Sequence, residues 1–205
     1  MVSVMLVNHG ESVLAREERY SGQRDTPLTA MGQAQHQRLA ARLVGKRIGR
    51  VVCSDLERCR ALADLIAAGR GIEVETMPGL REAAFGAWEG LTYKEAMERD
   101  RASMVAFNRD LVHVAPPGGE SLRALAERAR PAFDAAVRSH DRHSGALVIV
   151  SHGGTIRALL CGLLAIPLER HWTLRIDHAS LTKLDLYPLG PILEVLNDTC
   201  YLRDG

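Results

Sequence analysis

Apolar residues recur along this chain in two rhythms. Short continuous runs, rich in β-branched residues, stand at Val2–Val7, at Val51-Val52-Cys53 and at Leu147–Val150. Such runs are typical of strands buried on both faces. Glu73–Thr76 predicts a further, short strand. Between them the spacing becomes helical. Residues Thr29 to Val44 carry Ala34, Leu39, Leu43 and Val44 behind a candidate N-cap, Thr29. Leu56 to Ala68 sets Leu62, Leu65 and Ile66 on one helical face. Ser121 to Ser139 reads as a helix bent at Pro131. A last helix follows "SHGG" and runs to Leu164. Towards the end "LTKLDLY" alternates like a half-exposed strand, and "ILEVL" is placed to pair beside it.

The remaining segments fit around this frame. Residues 79–91, "GLREAAFGAWEGL", are irregular and carry aromatics, and "APPGGES" is a loop. Residues from about 92 to 112 are helical but polar, an excursion from the main layers. Strands alternating with helices predict an α/β fold, a three-layer αβα sandwich around a mostly parallel sheet. No repeat, low-complexity run or linker divides residues 1–205, so a single domain is expected.

In sheets of this kind, ligands bind beyond the carboxyl ends of the strands. Three predicted strand ends carry reactive residues: Asn8-His9-Gly10-Glu11, Ser54-Asp55-Leu56-Glu57-Arg58 and Ser151-His152-Gly153-Gly154. His9 and His152 share one context, strand, His, Gly, then a helix start. Glycine lets another group approach closely, and N–H groups at a helix start attract anions. Two imidazoles converging on one anion can divide the work, one attacking phosphorus and the other donating hydrogen bonds. Arg58 is placed to neutralise a phosphoryl group, and Glu82 to protonate a leaving oxygen. His36, His113, His140, His143 and His171 are assigned to packing or to the surface. No HxxxH or HxxEH pattern with convergent carboxylates is present, so no metal site is predicted.

Bulk composition narrows the partners. Lys and Arg total 26 against 25 Asp and Glu, which gives no reason to expect nucleic acid or a membrane surface as partner. No apolar run is long enough to span a bilayer, and the N-terminus lacks the charged start of a signal peptide. Cys53, Cys59, Cys161 and Cys200 form no framework. Together these features predict a cytoplasmic protein.

Several long motifs, in order, resemble the histidine phosphatase superfamily, also called phosphoglycerate mutase-like. They are "LVNHGES", "YSGQRDTPLTAMGQAQ", "VVCSDLERCRALADLI", "LREAAFGAWEGLT", "PPGGES" and "VIVSHGGTIRALL". The resemblance is greatest to the small α-ribazole-phosphate and broad-specificity phosphatases. It implies a phosphomonoester hydrolase acting on a small phosphorylated metabolite, without metal or organic cofactor. His9 would become phosphohistidine, Arg58 and His152 would bind the phosphoryl group, and Glu82 would be the proton donor. Asn8, Ser21, Gly22 and Gly153 would line the substrate site. Phe85, Trp88 and residues 92–112 would wall the rest of the substrate, with His178 at the rim. Nothing in the sequence decides between a monomer and a homodimer.

Two positions depart from the family pattern. Asn8 stands where the family has Arg, and Ala15 where it often has Asn. Each charge-assisted bond lost is worth roughly 1.5–3 kcal/mol. Two lost in the transition state correspond to about 10²- to 10⁴-fold in rate. Arg16, Arg19 and Arg24 are the candidates to restore the charge. Two alternatives stay open: a weak or inactive member that binds a phosphorylated ligand or a protein, and a mutase-type phosphotransferase. The compact segment between "WEG" and "PPGGES" speaks against the second.

Overall fold

The computed structural model describes residues 1–203. Strand β1 spans Val2–Asn8, and a single helical turn, α1, spans Val13–Arg16. Helix α2 is Ala30–Arg42, β2 Ile48–Cys53, α3 Glu57–Ala67 and β3 Val74–Thr76. Helices α4 (Tyr93–Arg99) and α5 (Arg101–Arg109) form the excursion. Then come α6 (Leu122–Arg138), β4 (Ala146–Ser151), α7 (Gly153–Leu163), β5 (Leu181–Tyr187) and β6 (Gly190–Asp198).

The strands form one sheet in the order β3-β2-β4-β1-β5-β6. The β3-β2-β4-β1 part is parallel, and β5 and β6 add antiparallel neighbours at one end. Alternate residues of β1 feed opposite layers. Met5 and Val7 pack with Leu39, Leu43, Leu62 and Ile66 of the α2 and α3 region. Val4 and Leu6 pack with Phe133 of α6 and with Ile156, Leu159 and Leu160 of α7. This is the three-layer sandwich that the alternation of elements predicts. The continuous apolar runs follow from it, because a strand covered on both faces has no polar side.

Local chemistry sets the helix starts. Thr29 caps α2 by accepting from Gly32 N–H at 2.9 Å. Thr92 and Glu95 form a reciprocal capping box on α4. Asp100 separates α4 from α5 and caps the second by accepting from Ser103 N–H at 3.1 Å. Helix α6 continues through Pro131 without a break. The excursion has its own small core of Trp88, Ala96 and Met104, with Tyr20, Phe85 and Phe107 against it. Among the described residues, no helix is long and apolar enough to cross a membrane.

Strand register brings the reactive ends together. Asn8 pairs with Ser151, and Cys53 with Val150. The residues that follow β1, β2 and β4 therefore emerge side by side on one edge of the sheet.

Candidate active site

His9 leaves β1 wedged between its neighbours. Its N–H donates to Ser151 O at 3.3 Å, and its carbonyl accepts from Ala179 N–H at 2.8 Å. The ring is held at both nitrogens. Nδ1 lies 2.6 Å from Gly10 O, so it carries the proton, and Nε2 accepts from Arg58 Nε at 3.2 Å. The acceptor lone pair is therefore on Nε2, where it receives the Arg58 hydrogen bond. Burial, then Arg58, then His178 hold the His9 pKa well below its ordinary value, so the ring is neutral near pH 7.

Arg58 is almost fully buried. Besides His9, it donates to Gly22 O at 2.7 Å and to Arg24 O at 3.0 Å. One side chain thus orients the His9 ring and ties down the 21–24 loop.

His152 is fully buried and meets His9 edge-on, with ring centroids 5.1 Å apart. It stands beside His9 and is not in the wall of the cavity described below. Its Nε2 is 2.9 Å from Ser54 Oγ. Ser54 Oγ accepts from Leu56 N–H at 3.4 Å. A serine O–H donating to Nε2 would leave the His152 proton on Nδ1. Ser54 then acts as a positioning residue. Ser54→Ala is expected to lower kcat about tenfold with KM little changed, and Ser54→Thr to recover it. Equal losses in kcat and KM in both variants would argue against this tautomer role.

The backbone N–H groups after His9 are not free for an anion, contrary to the sequence expectation. Gly10 N–H donates to His36 Nε2 at 2.8 Å, and Glu11 N–H to Gln35 Oε1 at 2.8 Å. Gly10 must be glycine, since a Cβ there would collide with Gly32 O. His36, which the sequence places in packing or at the surface, holds the turn that carries His9. Burial lowers its pKa to about 4, which keeps Nε2 an acceptor. The visible signal was its place one turn after Gly32, on the face of α2 that meets "HGE". Glu11 itself accepts from Thr29 Oγ1 at 2.6 Å, tying the motif to the α2 cap.

The start of α7 is also occupied. Glu82 accepts from Gly154 N–H at 2.9 Å and from Thr155 N–H at 3.1 Å. A carboxylate suits a helix N-terminus. The Glu82 loop is braced from behind by Arg128, which pairs with Glu120 at 2.8 Å and donates to Glu82 O at 3.1 Å.

A cavity of about 320 Å³ lies over His9, walled by Asn8, Ser21, Gly22, Arg58, Glu82, Gly153, Arg157 and His178, among others. It adjoins a larger one of about 820 Å³. Tyr20, Glu82, Phe85, Gly154 and Arg157 border both. The larger cavity is mainly aromatic and aliphatic, with Tyr93, Phe107, Leu111, Leu122 and Leu125 in its walls and the exposed Trp172 beside them.

Several expectations need correction here. Trp88 does not line either cavity: it is buried against Phe107, 5.2 Å between centroids, in the core of the excursion. His171, which the sequence places in packing or at the surface, lines the larger cavity, and His178 lines the smaller one, 5.7 Å from the His9 ring. Of the three arginines expected to restore charge, Arg16 and Arg24 are exposed and outside the cavity. Arg19 borders it but is committed to Glu95 at 2.6 Å and Gly90 O at 2.8 Å. Arg157, which lines both cavities, escaped notice because its helical position reads as an ordinary arginine. Among the described residues, no group of three or more His, Cys, Asp or Glu is arranged to hold a metal ion.

A parallel sheet brings two buried histidines and an arginine together beside a cavity of about 320 Å³, an arrangement suited to phosphoryl transfer. Residues 4–199 match the model of the histidine phosphatase superfamily (branch 1), and the chain belongs to that family. It is 34% identical over 192 residues to the adenosylcobalamin/alpha-ribazole phosphatase of Escherichia coli K12, covering 94% of each chain. It is also 34% identical to a Yersinia enterocolitica protein named "Probable phosphoglycerate mutase GpmB", covering 98% of this chain and 95% of that one. The alpha-ribazole phosphatase structure from Shigella flexneri superposes with a TM-score of 0.89 at 32% identity, covering 96% of each chain. The protein is a histidine phosphatase acting on small phosphorylated metabolites.

Proposed function

We propose that this chain hydrolyses a phosphomonoester whose alcohol part is bulky, ring-bearing and largely apolar. The observation that carries this is the pair of joined cavities. A phosphoryl group over His9 would direct its ester oxygen past Glu82 into a space of about 820 Å³ walled by aromatic and aliphatic side chains. A serine or glycerate alcohol would leave most of that space unfilled and its apolar walls unpaired.

In this reading His9 Nε2 attacks phosphorus as the ester P–O bond breaks, and Glu82 gives its proton to the departing alkoxide. Arg58 carries the charge of the transferring group, and His152 supports it from beside His9. Water then attacks phosphohistidine and gives its proton to Glu82, inorganic phosphate leaves, and His9 returns to its neutral form. Residues 1–205 act as one catalytic domain. The reading places it in the cytoplasm, supported by four cysteines that are all free thiols.

The test is a substrate panel. α-Ribazole phosphate and naphthyl phosphate are expected to exceed phosphoserine and 3-phosphoglycerate by about 10²-fold in kcat/KM. Trp172→Ala is expected to raise KM about three- to tenfold for ring-bearing esters alone, the worth of one aromatic contact. Equal rates across the panel would overturn the reading. Phosphate moved between the carbons of phosphoglycerate, without release, would establish a mutase instead.

A further inference from the structure

The family pattern puts an arginine before the nucleophile, and this chain has Asn8. That residue does not substitute for it. Asn8 is almost fully buried, and its Nδ2 donates to Asp177 O at 2.8 Å. Its Oδ1 is buried without a partner. The amide braces the 175–179 loop and brings no charge. The backbone N–H groups of Gly10, Glu11, Gly154 and Thr155 already have acceptors. The cavity must therefore take its positive charge from side chains, and on the Arg58 side it does.

Arg157 also borders the cavity. Its Nε donates to Leu174 O at 2.9 Å, and Nη2 reaches Ile176 O at 3.4 Å. These bonds fix the plane of the guanidinium. Nη1 has no acceptor among the described residues. A Cβ built on Gly153 would lie 3.5 Å from Arg157 Nη1 and 3.7 Å from Asn8 Nδ2. Both nitrogens, with Ile176 O at 3.8 Å, therefore border the position above Gly153. Asn8 and Arg157 both line the cavity, so a guanidinium at either position has access to it. The remaining ring on this side, His178, is kept neutral near pH 7 chiefly by burial. A guanidinium stays charged.

We propose that Arg157 binds the phosphoryl oxygens with Nη1 and supplies, from α7, the positive charge that Asn8 lacks. The site is then a two-arginine clamp, Arg58 on one side and Arg157 on the other. Arg157 also lies 4.9 Å under the Trp172 ring. The same guanidinium therefore touches the phosphoryl cavity and the wall of the alcohol cavity.

The proposal rests on reading the small cavity as the phosphoryl site, and the experiment separates the two. The intact chain, Arg157→Gln, Arg157→Lys, Asn8→Arg and the double variant Asn8→Arg/Arg157→Gln are compared. The readouts are kcat/KM on naphthyl phosphate and the inhibition constant of inorganic phosphate. Arg157→Gln is expected to lose about 10- to 100-fold in both, the worth of one charge-assisted bond. Asn8→Arg is expected to restore tenfold or more in the Arg157→Gln background, but to change the intact chain by less than tenfold. Arg157 also braces Leu174 and Ile176, and a purely structural role would not be rescued from position 8. An Arg157→Gln loss that Asn8→Arg leaves untouched therefore overturns the proposal, as does Arg157→Gln activity within threefold of the intact chain. If Arg157→Gln does not fold, the Asn8→Arg single variant decides. A rise of 100-fold or more would show that the charge position was empty, and a change under tenfold that Arg157 fills it. Failure of the underlying reading looks different: the intact chain itself would neither bind inorganic phosphate nor hydrolyse any ester.

Discussion

His9→Ala abolishes ester hydrolysis: the expected loss in kcat is on the order of 10⁴- to 10⁶-fold, as when a covalent catalyst loses its nucleophile. Nδ1 is engaged with Gly10 O, so only Nε2 can attack, and Arg58 holds it in place from 3.2 Å. No other imidazole in the cavity is held so. His152 lies outside the cavity wall, and His178, which lines it, has no hydrogen bond at its Nδ1. The variant should fold, because the turn is held independently through Gly10, Glu11 and α2. Rapid acid-stable quench is not useful, since phosphohistidine is acid-labile. Alkaline quench with labelled substrate should show label on the intact chain and none on His9→Ala. Label retained on the variant, or turnover within 100-fold, would remove His9 from the nucleophile role. A second readout concerns charge. Burial first, and Arg58 second, lower the His9 pKa well below 6.5. An NMR titration should accordingly find His9 neutral at pH 6.5 and protonating only at lower pH, whereas an exposed histidine is half protonated there.

Glu82→Gln should cost about 10²- to 10⁴-fold in kcat with alkyl esters, the usual worth of a positioned general acid. With p-nitrophenyl phosphate, whose leaving group needs no proton, the loss should stay under tenfold. That contrast isolates proton transfer from structure. Glu82 also caps α7 through Gly154 and Thr155. Glutamine keeps one oxygen acceptor but turns an NH₂ group towards the second N–H. The resulting stability loss is about 1 kcal/mol, and it falls on both substrates alike. A loss of the same size for both leaving groups would reduce Glu82 to a helix cap.

The candidate site was partly legible because its members follow buried strands. Val2–Val7 and Leu147–Val150 announce themselves by composition, and whatever polar residue ends such a strand lies at the sheet edge. His9, His152 and Arg58 were found that way. Their partners were not. Gln35 and His36 sit on α2 among ordinary polar residues, and only the approach of Gly10 to Gly32 reveals what they hold. Trp88 was misplaced for the converse reason. An aromatic in an irregular segment resembles a cavity wall, and packing against Phe107 decides otherwise.

By itself, the sequence determined the order of strands and helices, the sandwich they form and the strand ends that carry chemistry. These depend on periodicity and on residues adjacent in the chain, which a linear string records. The tertiary structure alone decided how the nearby donors are divided. It gave the α7 N–H groups to Glu82, the Gly10 N–H to His36, and a place in the cavity wall to Arg157, 149 positions from Asn8 in the chain. A hydrogen-bond donor can serve only the acceptor that the fold brings within about 3 Å. That distance is set by the packing of layers, and spacing along the chain does not contain it.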